Sequence, residues 1–204
     1  MRSWLFVALL VAAPAGAQTQ LGYYRFPSIH GDTIVFTAEG DLWRVGVQGG
    51  TAQRLTSHPA EESRPAISPD GKQVAFSARY EGPAEVYVMR LEGGIPRRLT
   101  WEGGNALVVG WTPRGEVLYA SRRFSTLPET QLVAVDAATG KRSILPLAQA
   151  SDGGFDGAGG TLFFTRYVFQ GSHTKRYQGG TAQNLWKWTS GEAVPLTADF
   201  AGTP

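Results

Sequence analysis

Apolar residues along this chain come in short runs rather than helical stripes. Four triplets, Ile34-Val35-Phe36, Val74-Ala75-Phe76, Val117-Leu118-Tyr119 and Leu162-Phe163-Phe164, recur at spacings of 40, 43 and 45 residues. Each follows a glycine-bearing turn: His30-Gly31-Asp32, Ser68-Pro69-Asp70-Gly71, Thr112-Pro113-Arg114-Gly115 and Ala158-Gly159-Gly160. A second set comes after each triplet, led by a polar residue: Asp41-Leu42-Trp43, Glu85-Val86-Tyr87, Gln131-Leu132-Val133 and Asn184-Leu185-Trp186. A third set closes each unit at Arg54-Leu55-Thr56, Arg98-Leu99-Thr100, Ile144-Leu145-Pro146 and Pro195-Leu196-Thr197, each after a second tight turn.

The segments are rich in β-branched and aromatic residues and bounded by Gly, Pro and Asp, which reads as short strands. No stretch after the first residues sustains a capped, 3.6-residue apolar period. Four strands per unit of 40 to 50 residues is the mark of a β-propeller blade. The fold class is therefore all-β, a propeller of four-stranded antiparallel blades. The blades fall at about 22–60, 61–104, 105–150 and 151–198. The triplets lie on inner strands that pack blade on blade, and the outermost strand, ending in Leu-Thr, is the more exposed. In Ser68-Pro69-Asp70-Gly71, Pro presets φ and Gly accepts a positive one, so Ser68 and Asp70 are turn formers before they are chemistry. Repetition of Trp43, Tyr87 and Trp186 at one position in three blades points to packing between blades.

Composition sharpens this picture. Gly (26) and Pro (12) make up nearly a fifth of the 204 residues, against roughly 12% in average usage; the excess counts the turns. There is no Cys, which removes disulfides, thiol catalysis and Cys-based metal sites. The 19 basic and 17 acidic residues leave a net charge of +2, so no broad polyanion-binding surface and no nucleic-acid partner is implied. The three histidines, His30, His58 and His173, are spread along the chain, and no metal site or cofactor is expected. His30 reads as a turn residue near solvent and His58 as part of a solvated loop beside Glu61 and Glu62.

The first residues are a separate object. Arg2, the apolar run Trp4–Ala13 and Ala15-Gly16-Ala17 have the order of a secretory signal peptide, residues 1–17, cleaved after Ala17. Ten apolar residues are too few for a membrane span, which needs about 20. A periplasmic or secreted location is expected.

The turn Ser68-Pro69-Asp70-Gly71-Lys72 running into Val74-Ala75-Phe76 resembles the TolB-type WD40-like repeat. Two segments narrow the resemblance. Tyr24 to Phe36, running into Gly40-Asp41-Leu42-Trp43, is similar to the start of the tricorn protease propeller. Lys175 to Gly180, followed by Ala182 to Trp186, is similar to a fourth-blade insertion of that family. The resemblance covers residues 22–204. It implies a six-bladed propeller of which four blades are present, with 199–204 starting a fifth. It also implies a seven-bladed propeller, a PDZ domain and a Ser/His protease module further along the parent chain, and so no catalytic residue here. Some members of the family are cytosolic, which the export signal sets apart from this chain.

No nucleophile elbow, zinc-protease helix or P-loop motif occurs. The run Asp152 to Gly160 fills an inner strand and its turn rather than a phosphate loop. The informative feature is a growing insertion. From triplet centre to third-strand position the distance is 8 residues (Val35 to Trp43), then 12 (Ala75 to Tyr87), 15 (Leu118 to Val133) and 23 (Phe163 to Trp186). The extra residues share one propeller face with the blade-to-blade connections, where insertions often build a binding surface. They carry Arg122, Arg123, Arg166, His173, Lys175 and Arg176, interleaved with Phe124, Tyr167, Phe169 and Tyr177. Such a rim can attract acidic groups or the carboxyl termini of peptides; alternatively the loops pack on a neighbouring blade or domain and the charges are solvated. The sequence thus points to a substrate-gating or scaffolding propeller of an exported tricorn-like serine protease. Its expected partners are peptides or unfolded segments, downstream domains of the same chain, and further copies. A TolB-like interaction module and the propeller of a prolyl-oligopeptidase-like hydrolase stand as alternatives.

Overall fold

The computed structural model describes residues 22–168 and 179–199. The expected leader and the segment after Asp199 lie outside them. Sixteen strands form four antiparallel sheets of four, each in sequence order from the inner strand outward. Blade 1 holds β1 (Arg25–His30), β2 (Thr33–Ala38), β3 (Asp41–Gly46) and β4 (Gln53–Arg54). Blade 2 holds β5 (Glu62–Ile67), β6 (Gln73–Ala78), β7 (Glu85–Arg90) and β8 (Arg97–Arg98). Blade 3 holds β9 (Ala106–Trp111), β10 (Val117–Ser121), β11 (Gln131–Val135) and β12 (Arg142–Ile144). Blade 4 holds β13 (Asp152–Phe155), β14 (Leu162–Thr165), β15 (Leu185–Trp188) and β16 (Val194–Pro195). Among the described residues every regular element is a strand, so the all-β propeller read from the repeat is the observed fold.

Period-two alternation explains why the triplets of blades 2 and 3 are apolar throughout: both faces of their strands are covered, whereas Phe163 of blade 4 is exposed. Val74 and Phe76 join Val35 and Leu42 of blade 1, while Ala75 between them faces Val108, Val117 and Tyr119 of blade 3. Leu118 and Ala120 turn the other way and meet Leu162 and Phe164 of blade 4. The core is thus three layers, one in each gap between adjacent blades. Full burial of a side chain such as Phe76 contributes about 1.5–3 kcal/mol.

The turns follow their residue types. Gly71 has φ +70°, and its N–H donates to the Ser68 carbonyl at 2.9 Å. The Ser68 hydroxyl donates to Asp70 Oδ1 at 2.6 Å, and the Lys72 N–H donates to the same oxygen at 3.1 Å. These bonds hold the Asp70 carboxyl below its ordinary range, the Ser68 hydroxyl contributing most. Ser68 and Asp70 are turn formers.

The outer strands are short and exposed, and Leu196 after the fourth is exposed as well, but the Leu-Thr pair of blade 2 is buried. Leu99 is 3% and Thr100 0% exposed. One bond repeats in all four blades: Leu55, Leu99, Leu145 and Leu196 donate their N–H to the carbonyls of Leu42, Val86, Leu132 and Leu185. The following threonine turns inward. Thr56, Thr100 and Thr197 each accept an N–H at 2.9 Å, from Leu42, Val86 and Leu185. Blade 3 has Pro146 at this position and lacks the hydroxyl.

Three inner strands carry a register shift: β9 skips a residue between Val108 and Gly110, and the other two lie in blades 1 and 2. The register shifts between Arg25 and Ser28 in β1 and between Ser63 and Ala66 in β5. Inside these bulges Phe26 has φ 51° and Arg64 φ 52°, each directly before a proline. Non-glycine residues in this region cost about 1–3 kcal/mol each.

Candidate functional site

One propeller face is organised by the joints between blades. A residue at or just before the start of each later blade's inner strand donates its N–H to the loop before β3, β7 or β11 of the blade before it. These bonds are Glu62 to Gly40, Ala106 to Ala84 and Ala150 to Thr130. They fix the second-to-third-strand loops beside the blade-to-blade connections, so both belong to one surface.

The polar residue leading each third strand ties that surface together. Glu85 is 3% exposed. It accepts from the Thr100 hydroxyl at 2.5 Å, from the Glu102 N–H at 2.7 Å and from the Gly103 N–H at 3.3 Å, and it pairs with Arg98 at 3.1 Å. Asp41 takes the same position in blade 1, bonding Arg54 and the His58 N–H. Gln131 in blade 3 donates to the Leu147 carbonyl at 3.2 Å. Asn184 in blade 4 lies 3.2 Å from the Thr197 hydroxyl. These residues are clamps on the connection.

The joint between blades 1 and 2 also buries Glu62, which is 0% exposed. It accepts from Thr56 and, at 2.5 Å, from the Tyr80 hydroxyl, and the His58 ring lies against that of Tyr80, tilted by 45° with centroids 4.1 Å apart. Burial raises the Glu62 carboxyl above its ordinary range, against the pull of the two hydroxyls. A raised folded pKa favours the protonated form in the folded state. Its stabilising contribution is complete below about pH 4 and is lost as pH rises through the folded value. Glu62→Gln is therefore expected to flatten the pH dependence of melting over the range above about pH 4 in which the parent loses this contribution. The variant gains on the parent as pH rises. Parallel melting curves for the two across that range would contradict the assignment.

The enlarged loop of blade 3 opens this face into a cleft. It has a volume of about 630 Å³ and is lined by Glu102, Gly103, Gly104, Asn105, Leu107, Ala120, Ser121, Arg122, Arg123, Thr130 and Val168. The floor is the 2–3 connection, held by Glu85 as above and by the Ala84 N–H on Asn105 Oδ1 at 3.1 Å. Glu102 is anchored from below by the Tyr119 hydroxyl at 2.8 Å and lies 3.6 Å from Arg142. Arg122 is 65% exposed and stands 4.0 Å from Glu129. The exposed Arg123 forms no ion pair among the described residues. The lining combines apolar side chains, Leu107, Ala120 and Val168, with the guanidiniums of Arg122 and Arg123.

Of the rim expected from the sequence, the structure brings Arg122 and Arg123 into the cleft. Arg166 goes elsewhere. It donates to Gln149 Oε1 at 2.8 Å and stacks over Trp186 at 5.2 Å, so it packs the fourth blade onto its connection. Its neighbour Val168, not Arg166, reaches the cleft. His173, Lys175, Arg176 and Tyr177 lie outside the described residues, as does Phe169. The sequence reading missed Glu102 to Asn105. Their only signal was a Gly-Gly pair in a connection, Gly103-Gly104, next to the longer loop.

Comparison with known proteins bears on this architecture. The family described as the tricorn protease N-terminal beta propeller domain matches residues 21–201. Tricorn protease homolog 1 of Streptomyces coelicolor is 36% identical over 203 residues, covering 91% of this chain and 17% of the relative. The crystal structure of the tricorn protease superposes with a TM-score of 0.73 at 24% identity, over 85% of this chain and 18% of that one. TolB from Acinetobacter baumannii superposes at 0.67 and 20% identity, over 86% of this chain and 43% of that one. At those identities the two structures speak for the fold alone. The chain spans less than a fifth of the length of Tricorn protease homolog 1 and of the tricorn protease in the crystal structure.

Proposed function

The chain belongs to the tricorn protease N-terminal beta propeller family, and from that premise we propose that it is the non-catalytic substrate-gating and scaffolding propeller of an exported, tricorn-like serine protease that degrades peptides. The remaining domains of such a protein, and further copies of it, are its structural partners. Its own contribution is the cleft on the loop face, which takes the carboxyl-terminal end of a peptide. The observation that carries this reading is the pairing of two exposed guanidiniums, Arg122 and Arg123, with the apolar side chains of Leu107, Ala120 and Val168. A terminal carboxylate accepts from the guanidiniums, and the last side chain lies against the apolar lining. The leader pattern at residues 1–17 supports export.

The test is charge reversal at both arginines, Arg122→Glu with Arg123→Glu. Binding of a short free-acid peptide with an apolar last residue, measured by calorimetry at low salt, is expected to weaken roughly tenfold or more. A charge-assisted hydrogen bond contributes about 1.5–3 kcal/mol. The melting temperature is expected to stay put, since both side chains are exposed. Unchanged affinity removes the cleft from the account. The likeness in fold to TolB favours a second reading, a stand-alone interaction propeller. That reading predicts affinity for folded protein surfaces and indifference to a peptide's free carboxylate.

A further inference from the structure

The bulges in β1 and β5 serve no strand pairing, yet the same bulge occurs in two blades. Each puts a non-glycine residue at positive φ ahead of a proline, against the local preference of both residues. What they gain is direction. The Arg64 guanidinium lies 5.4 Å over the Phe26 ring of blade 1 and 3.2 Å from Asp152 of blade 4. An inner-strand residue of blade 2 can meet inner strands on both sides only across the propeller axis. Arg25 lies 5.5 Å over the Phe26 ring and pairs with Glu61 at 3.2 Å. The aromatic ring thus orients Arg64, and Asp152 occupies its free edge.

Asp152 is suited to act as a removable partner. Its side chain is 52% exposed, and it leads a strand whose next residue, Gly153, lies so close to β14 that a Cβ there would stand 2.4 Å from the Phe163 carbonyl oxygen. The backbone is held by its pairing with β14, Asp152 opposite Thr165 and Gly153 opposite Phe164, independent of the ion pair. We propose that Arg64 is an axial recognition site for an acidic side chain of a bound peptide, and that Asp152 is an internal stand-in that such a carboxylate displaces. This site lies apart from the Arg122–Arg123 cleft and does not depend on it.

A purely structural latch and a displaceable stand-in make opposite predictions for Asp152→Asn. The probe is a capped pentapeptide, acetyl-Ala-Ala-Glu-Ala-Ala-amide, labelled and followed by fluorescence anisotropy with the full chain at low salt. The measurement is made in the Arg122→Glu, Arg123→Glu background, where the peptide's carboxylate has no partner in the arginine cleft, so failure of one site leaves the other measurement intact. Asp152→Asn is expected to tighten binding about two- to fivefold, the range of a half-exposed ion pair. Arg64→Gln is expected to abolish it, and the glutamine version of the peptide is expected not to bind the chain in that background. Asp152→Asn carries the decision alone if Arg64→Gln does not fold. Unchanged or weaker binding by Asp152→Asn, or equal binding of the glutamate and glutamine peptides, overturns the proposal.

Discussion

Glu85→Ala is expected to destabilise the propeller by about 3–5 kcal/mol, the cost of breaking a buried, hydrogen-bonded ion pair from one side. The carboxylate is 3% exposed and serves Thr100, Arg98 and the N–H groups of Glu102 and Gly103. Without it the two amides and the hydroxyl lose an acceptor in a site that admits little water. Arg98 keeps Glu81 and the Thr100 carbonyl, so the loss falls on the 2–3 connection, the floor of the cleft. Glu85→Gln retains one acceptor oxygen and the side-chain volume, and should cost clearly less. Urea melts of the two variants at pH 7 check this. Equal small losses would mean the clamp does not hold the connection.

Phe76→Ala is expected to cost about 3–5 kcal/mol by a different route, the cavity left in a core layer. Phe76 is fully buried between blades 1 and 2, among Val35, Leu42, Tyr87 and Met89, with its ring 6.0 Å from that of Tyr87. The backbone on both sides is fixed by sheet pairing at Phe76–Tyr87 and Val74–Met89, so the gap can collapse little. Phe76→Leu should recover much of the loss. The cavity variant should be shifted equally at all pH values, since the substitution removes no titratable group. A pH-dependent loss in Phe76→Ala would count against the packing account.

How far the sequence carried can be judged from particular residues. The triplets and their turns revealed the blade unit because both are local: an apolar run covered on both faces, and a Gly or Pro where φ demands it. The run Asp152 to Gly160 could be assigned to an inner strand and its turn by repeat position alone, and β13 with its turn at Asp156 stands there. The clamp role of Asp41, Glu85, Gln131 and Asn184 was visible only as a recurrent polar residue. Its partners come from the connection some 15 residues on, and no local rule names them. The bulges at Phe26 and Arg64 were invisible for the opposite reason: local preference argues against positive φ before proline, and only the ring of blades imposes it. Arg166 shows the limit of charge as a guide. Composition placed it on the rim with Arg122 and Arg123, but it lies against the indole of Trp186, a direction set by tertiary packing. The cleft itself needed both a long loop, which the spacing revealed, and a glycine-paired connection opposite it, which the spacing did not.

The central claim is that the loop-face cleft reads a peptide's terminal carboxylate. The most direct measurement compares one short peptide with an apolar last residue as its free acid and as its C-terminal amide, both titrated into the full chain at low salt. The account predicts that the amide binds roughly tenfold or more weakly, and that the difference disappears in the Arg122→Glu, Arg123→Glu variant. Equal affinity of acid and amide for the parent chain would contradict it.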